Sequence, residues 1–259
     1  MKRSKRLKRV VIWLCASALA FVLALVIAWA TGLILHDSSQ AASIKEALHY
    51  YRTSKHGSSA LNGVYLYATK GHESIDALGG AHHTYPTTTS ITAIEVPCGV
   101  QLRWTALQGR STIWTFCSTA VGVVLRVSDE RHSFFGQHDH TTYTCDDRLL
   151  LPRKFVHGAV YPFRCSTRRG SETGDVRILG RATIKIGSKF VRDVHARTTL
   201  SIHGGGTGGT ETINWWLNAA NSLPLRITMR SRTSRSLFVG RVHYSEDFTL
   251  RLLSLRPRR

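Results

Sequence analysis

Three hydrophobic patterns follow one another along the chain. Val10 to Leu35 contains no charged side chain. A helix of ~20 apolar residues crosses a bilayer core of about 30 Å, with its backbone groups satisfied internally. The run therefore predicts a transmembrane helix over residues 10–35. A short stretch of helical period comes next. Ser43-Ile44-Lys45-Glu46 is a capping box, and Ile44, Ala47, Leu48 and Tyr51 fall on one helical face. Residues 36–62 are thus expected to hold a juxtamembrane helix, which packs on the domain or lies at the membrane interface, and then a linker. From Gly63 the period drops to two. Short β-branched and aromatic runs alternate with polar punctuation, which predicts ten to twelve antiparallel strands over 63–259.

The punctuation sets the expected turns. Gly71 to Pro86 (GHESIDALGGAHHTYP) reads as a loop. Gly204 to Gly209 (GGGTGG) reads as a hairpin tip, because glycine accepts positive φ. Asn218 to Ser222 and Arg230 to Ser236 (RSRTSRS) read as the next two turns. Pro224 opens a strand, where its missing amide costs least.

Charge adds orientation. Lys2, Arg3, Lys5, Arg6, Lys8 and Arg9 precede the apolar run without an acid, so residues 1–9 are expected to stay cytoplasmic as a membrane-surface basic stub. The rest of the chain is then extracytoplasmic. A cleaved signal peptide is the competing reading, because Ala28-Trp29-Ala30 fits its cleavage pattern. Its apolar region is usually only ~7–15 residues long, which favours an uncleaved anchor. Cys15 lies inside the run and reads as a buried thiol of the span.

Six of the 35 basic residues lie in the stub, which leaves 29 against all 16 acids, a net +13 outside. Such a charge suits an anionic polymer or lipid headgroups. An exported domain rarely meets nucleic acid, which is not expected as a partner. A solvated basic face, with the arginines dispersed along strands, is the favoured explanation of the charge.

Four cysteines follow the span. Cys98 and Cys117 are equidistant from a turn beside Gly109, and Cys145 and Cys165 are equidistant from Phe155. Residues equidistant from a hairpin tip face each other within disulfide range. The expected bridges are Cys98–Cys117 and Cys145–Cys165, in keeping with an oxidising compartment.

Candidate chemistry is sparse. His138 and His140 share a strand face and resemble part of a metal site, but a third ligand is not evident. Glu73, Asp76, His82 and His83 form a second polar cluster. Glu73 with Asp76, or Glu246 with Asp247, could act as an acid and base pair. Strand neighbours face opposite ways, which argues against the second pair, and the first is expected to cap turns. No nucleophile elbow is present. The chain is read as a non-enzyme with no metal site and no cofactor. Trp104, Trp114, Trp215 and Trp216 all fall in predicted strands, and Trp215 and Trp216 must face opposite sides of their sheet. These four are the candidate ligand face.

Trp-Leu-Asn, a turn, Leu-Pro-Leu-Arg and GRVHYSEDFTL together resemble the closing strands of the bacterial lipoprotein-carrier superfamily, over Lys185 to Leu255. That resemblance implies a curved half-barrel with a concave apolar face for acyl chains. GHESIDALGGAHHTYP, CGVQLRW, FFGQHDHTTYTC and WLNAANSLPLR also resemble uncharacterised single-pass exported proteins of actinobacteria, which imply no activity. The expected protein is mainly β: an N-terminal transmembrane helix, a juxtamembrane helix, and a half-barrel or barrel-like sheet with two disulfides. Its expected role is non-catalytic binding of lipid or another apolar ligand outside the membrane. Docking on anionic envelope polymer or headgroups is the alternative, and envelope hydrolysis is third.

Overall fold

The computed structural model describes residues 19–23, 39–55, 57–237 and 240–259. Residues 19–23 are helical. The rest of the expected transmembrane segment and the basic stub lie outside the described residues. Among those described, no helix is long and apolar enough to cross a membrane. The chain divides into compact units of residues 1–38 and 39–259.

Among the described residues, the second unit contains one α-helix, α1 (Ile44–Thr53), a single 3-10 turn (Ala77–Gly79) and thirteen strands: β1 (Gly63–Ile75), β2 (Ala81–Thr84), β3 (Thr88–Val96), β4 (Gly99–Leu107), β5 (Arg110–Ser118), β6 (Gly122–Phe134), β7 (Gln137–Pro152), β8 (Val160–Ser166), β9 (Ser171–Ile186), β10 (Lys189–Gly204), β11 (Thr207–Asn218), β12 (Pro224–Leu237) and β13 (Gly240–Leu252). Neighbours pair antiparallel in chain order from β3 to β13. The last strand returns to the first, with Tyr67 opposite Leu252 and Ile75 opposite Tyr244. Twelve strands thus form a ring, and β2 is attached beside β1. Ring closure satisfies both edges that an open sheet would leave unpaired. Of the two expected forms, the barrel-like one is found and the half-barrel is not.

Alternation sorts the side chains. Tyr65, Tyr67, Trp104, Trp114, Phe116, Trp215, Ile227 and Leu250 all point inward and are almost fully buried. Trp114 and Phe116 meet Trp215 edge-on, with centroids 5.3 and 5.8 Å away. Burying each such ring contributes roughly 2–3 kcal/mol relative to exposure.

Helix α1 carries the expected capping box: Ser43 Oγ accepts from Glu46 N–H, and Glu46 accepts from Ser43 N–H. Its apolar face, Ala47, Leu48 and Tyr51, packs on Val64 and Ile94 outside β1 and β3. Both expected disulfides are present. Cys145 and Cys165 are direct cross-strand partners. Cys98 lies one residue from the symmetric position, since Gly99 faces Cys117. The hairpin tip is centred between Gln108 and Gly109, one residue beyond the expected centre, which alone would offset the pair by two, and a bulge at Ala106 in β4 takes back one of them.

The hairpin tip at Gly205 and Gly206, the turn after Asn218 and the strand start at Pro224 all fall where expected. Two expected turns do not. GHESI extends β1 and AHHT forms β2, so most of the expected loop is paired sheet. Arg230 to Ser236 lies within β12, paired to β11 and β13 throughout. Both stretches look like loops because they are polar on both faces, and the interior there is polar too.

Candidate functional site

The polar part of the interior begins at the seam between first and last strands. Glu73 on β1 faces Glu246 on β13, Glu246 faces Ser231 on β12, and Ser231 faces Glu211 on β11. All four are buried, so this inward row carries three glutamates across adjacent strands. Such a row stands only with compensating partners, because buried charge is costly unless paired.

Arg110 supplies one. It opens β5, three strands from β1 around the ring, and reaches the seam through the interior. Its Nε and Nη2 donate to the two Glu246 oxygens at 2.9 and 2.8 Å. Its Nη1 donates to Ser111 O and Thr112 Oγ1 at 2.9 and 2.6 Å. Glu73 Oε2 lies 3.9 Å from Nε. This forked geometry is the strong form of a carboxylate–guanidinium contact.

Tyrosines and histidines complete the network. Tyr85 donates to Glu246 Oε1. The Tyr244 hydroxyl lies 3.0 Å from Glu246 Oε2, 3.1 Å from Glu73 Oε2 and 3.0 Å from His132 Nδ1. His83 Nδ1 and His132 Nδ1 sit 3.0 and 3.2 Å from the two Glu73 oxygens. Burial would raise the Glu73 pKa, yet the hydrogen bonds from His132 and His83, with the nearby positive charges, bring it down to about 2. Burial and Arg110 lower the His132 pKa, but Glu130 and Glu73 outweigh them and it rises. Burial, then the Glu246 charge, pushes both tyrosines well above the usual phenol range.

A second interior cluster surrounds Arg148 on β7. Its Nη1 is 3.7 Å from Glu172 Oε2, and its guanidinium lies 4.5 Å above the Phe163 ring. Its Nε and Nη2 make no hydrogen bond to described residues. Burial lifts the Glu172 pKa to about 7 against the pull of Arg148. Burial, then Glu130 and Glu172, lifts Glu211 well above the carboxylate range.

The outside is the opposite. Among the described residues, five acids (Glu73, Glu172, Asp193, Glu211, Glu246) are buried against two basic residues, Arg110 and Arg148. Asp193 alternates with the inward Val194 and stands on the outer face beside His195, so four glutamates against two arginines lie inside and the exterior is two charges more basic than the composition suggests. On β9 to β13 the outward positions include Arg177 opposite Arg197, and Arg226 opposite Arg251. Between these pairs Trp216 stacks on His195 at 4.2 Å and carries Arg226 at 4.6 Å. Charges at mid-strand on the outer face are not a lipid-facing girdle.

A groove of about 730 Å³ lies at one end of the sheet, its walls including Ser74, Asp76, His82, Arg232, His243 and Ser245. Asp76 Oδ2 holds His243 Nδ1 at 2.7 Å and Oδ1 accepts the His243 amide at 2.6 Å. That amide, then the imidazole, lowers the Asp76 pKa.

No family model matches the chain. No curated protein matches it either. Among solved structures, the crystal structure of the hypothetical lipoprotein YmcC from Escherichia coli (K12) is similar at 10% identity and a TM-score of 0.35, over 85% of this chain and 100% of that one.

The sequence-level candidates scatter. Trp104, Trp114 and Trp215 lie inside the ring and Trp216 outside it, so the four do not form one face. His140 Nε2 binds Asp129 Oδ2 at 2.5 Å on the exposed surface. Among the described residues, no group of three or more His, Cys, Asp or Glu could hold a metal. Glu73 does not cap a turn as expected. It lies within β1, and pairing carries it into the interior. Each rejected acid pair contributes one member to the network, since Glu73 meets Glu246 while Asp76 and Asp247 face outward. Arg110, Tyr85, His132 and Tyr244 were missed. For Arg110, His132 and Tyr244 the only sequence signal is a polar residue at an inward position of an alternating strand, which needs the register to be read, and Tyr85 lies in the connection just past β2.

Proposed function

We propose that the chain is a non-catalytic binding protein of the cell envelope, anchored by residues 10–35 with its N-terminus cytoplasmic, whose β domain docks on an anionic envelope component. The single observation that carries this reading is the sorting of charge. The ring holds four glutamates inside against two arginines and leaves the other described arginines out, so the surface is more basic than a chain of this composition needs to be. Basic surfaces of this kind concentrate anionic partners and speed their capture. The two disulfides support an exported domain.

An apolar ligand is less well supported. Three of the four tryptophans expected to hold it are packed against the protein's own rings. A hydrolytic role is likewise weaker, because Glu73 and Glu246 are held by histidine, tyrosine and arginine partners.

The test uses the full chain in detergent micelles. It should be retained at low salt on matrices bearing phosphate or carboxylate polymers, pass through a neutral glycan matrix, and be released by high salt. Retention that is equal on neutral and anionic matrices, or unaffected by salt, would remove this reading. A stoichiometric apolar adduct in native mass spectra would restore the lipid-binding alternative.

A further inference from the structure

The outer face of β9 to β13 is set apart from the other arginine-bearing surface by what its arginines face. Further along β12, Arg230 and Arg232 share Asp247 at 2.9 and 2.5 Å, which offsets one of their two charges. Arg177, Arg197, Arg226 and Arg251 make no ion pair among the described residues. Their cross-strand partners are each other, in the pairs Arg177–Arg197 and Arg226–Arg251. Directly opposed like charges destabilise a sheet, so folding gains nothing from this arrangement.

The patch is also held in place. Arg197 Nε donates to Asn214 Oδ1 at 3.0 Å, which fixes its guanidinium over β11. His195 Nε2 lies 3.2 Å from the same oxygen and stacks its ring on Trp216. Arg226 lies over that indole. Two arginines are therefore oriented before any partner arrives, which lowers the entropy cost of binding.

Resting on the anionic-docking reading above, we infer that Arg177, Arg197, Arg226 and Arg251, arranged around the His195–Trp216 stack, form the docking site for a linear phosphate-bearing polymer. Guanidinium forks match phosphate oxygens in pairs. Adjacent strands are about 4.8 Å apart, so the patch runs roughly 19 Å across β9 to β13. That spacing suits several phosphates of a chain laid across the strands. The outside of a closed ring is convex, so a flat bilayer would touch it along a strip, whereas a flexible chain can follow the curve.

The experiment measures binding of linear polyphosphate to the full chain in micelles. Phosphatidylglycerol vesicles and polyglutamate serve as comparison probes. The variant R177Q/R197Q/R226Q/R251Q is compared with R153Q/R164Q/R168Q/R169Q, which removes the same charge from exposed positions elsewhere. Both are first checked for wild-type thermal unfolding. The patch variant should bind polyphosphate about tenfold more weakly, and the control variant less than about threefold more weakly. Equal losses would overturn the site while leaving anionic docking intact, because total charge would then explain binding. Wild-type protein that binds vesicles or polyglutamate more tightly than polyphosphate would overturn the phosphate-polymer assignment. Failure to bind any of the three would remove the docking reading itself.

Discussion

Arg110 is the point at which the interior can be tested most sharply. Arg110→Met keeps an apolar stem of similar length and removes the guanidinium. Two hydrogen bonds to Glu246 and two to Ser111 and Thr112 are lost together. Glu246 and Glu73 then face each other across the seam, each side chain about 1% exposed, with one less positive charge between them. Leaving a buried charge without its partner costs about 3–5 kcal/mol. The charge on Glu246 is the source of most of that cost, so R110M/E246Q should be more stable than R110M by about 2 kcal/mol, as in a coupled double-mutant cycle. Glutamine still accepts a hydrogen bond from Tyr85 or Tyr244. The assay is urea unfolding of the full chain in micelles, followed by tryptophan fluorescence, with Trp104 as a local probe 5.2 Å from the Arg110 guanidinium. If R110M shifts stability by less than about 1 kcal/mol, the interior is solvated and the pair behaves like a surface one. Additive effects of R110M and E246Q would refute the coupling equally well.

Three further perturbations test other parts of the structure. Glu172 has a folded pKa of about 7, above its ordinary value of 4.5, so its contribution is fully present below 4.5 and lost as pH rises through 7. Glu172→Gln should therefore match wild type in acid and exceed it above neutrality by up to roughly 3 kcal/mol, as read from unfolding midpoints across pH. Gly71→Ala would place a Cβ 2.3 Å from Asp247 O and 2.6 Å from Phe248 Cα. Both are backbone atoms of the seam partner, so a loss of about 1–3 kcal/mol, with faster amide exchange in β1 and β13, is expected. Ser43→Ala removes the acceptor for the Glu46 amide and should cost about 1 kcal/mol, seen as faster exchange in α1 with the ring unaffected.

Much of the fold was legible because its signals are local. A capping box needs four residues, a hairpin tip needs a glycine pair, and strands need only alternation. The disulfides followed from symmetry about two turns, and the one-residue offset at Cys98 came from a tip centred one residue late, half corrected by a bulge that no local signal marks. Polarity misled the reading at Gly71 to Pro86 and at Arg230 to Ser236. There both faces of a strand are polar, because one faces solvent and the other a buried charge network. Alternation cannot mark a strand whose inside is as polar as its outside.

Taken alone, the sequence determined the β class, the turn positions at Gly204 to Gly209 and Pro224, both cysteine pairings, and an excess of basic charge. All of these depend on neighbours in the chain or on counting. Tertiary structure decided whether the sheet closes, because closure rests on β1 meeting β13 across nearly the whole chain. It decided that Glu73 meets Glu246, that Arg110 reaches both through the interior, and that acids go in while Arg177, Arg197, Arg226 and Arg251 stay out. Cross-strand register is a long-range quantity, and a shift of one residue would turn every one of these side chains to the opposite face.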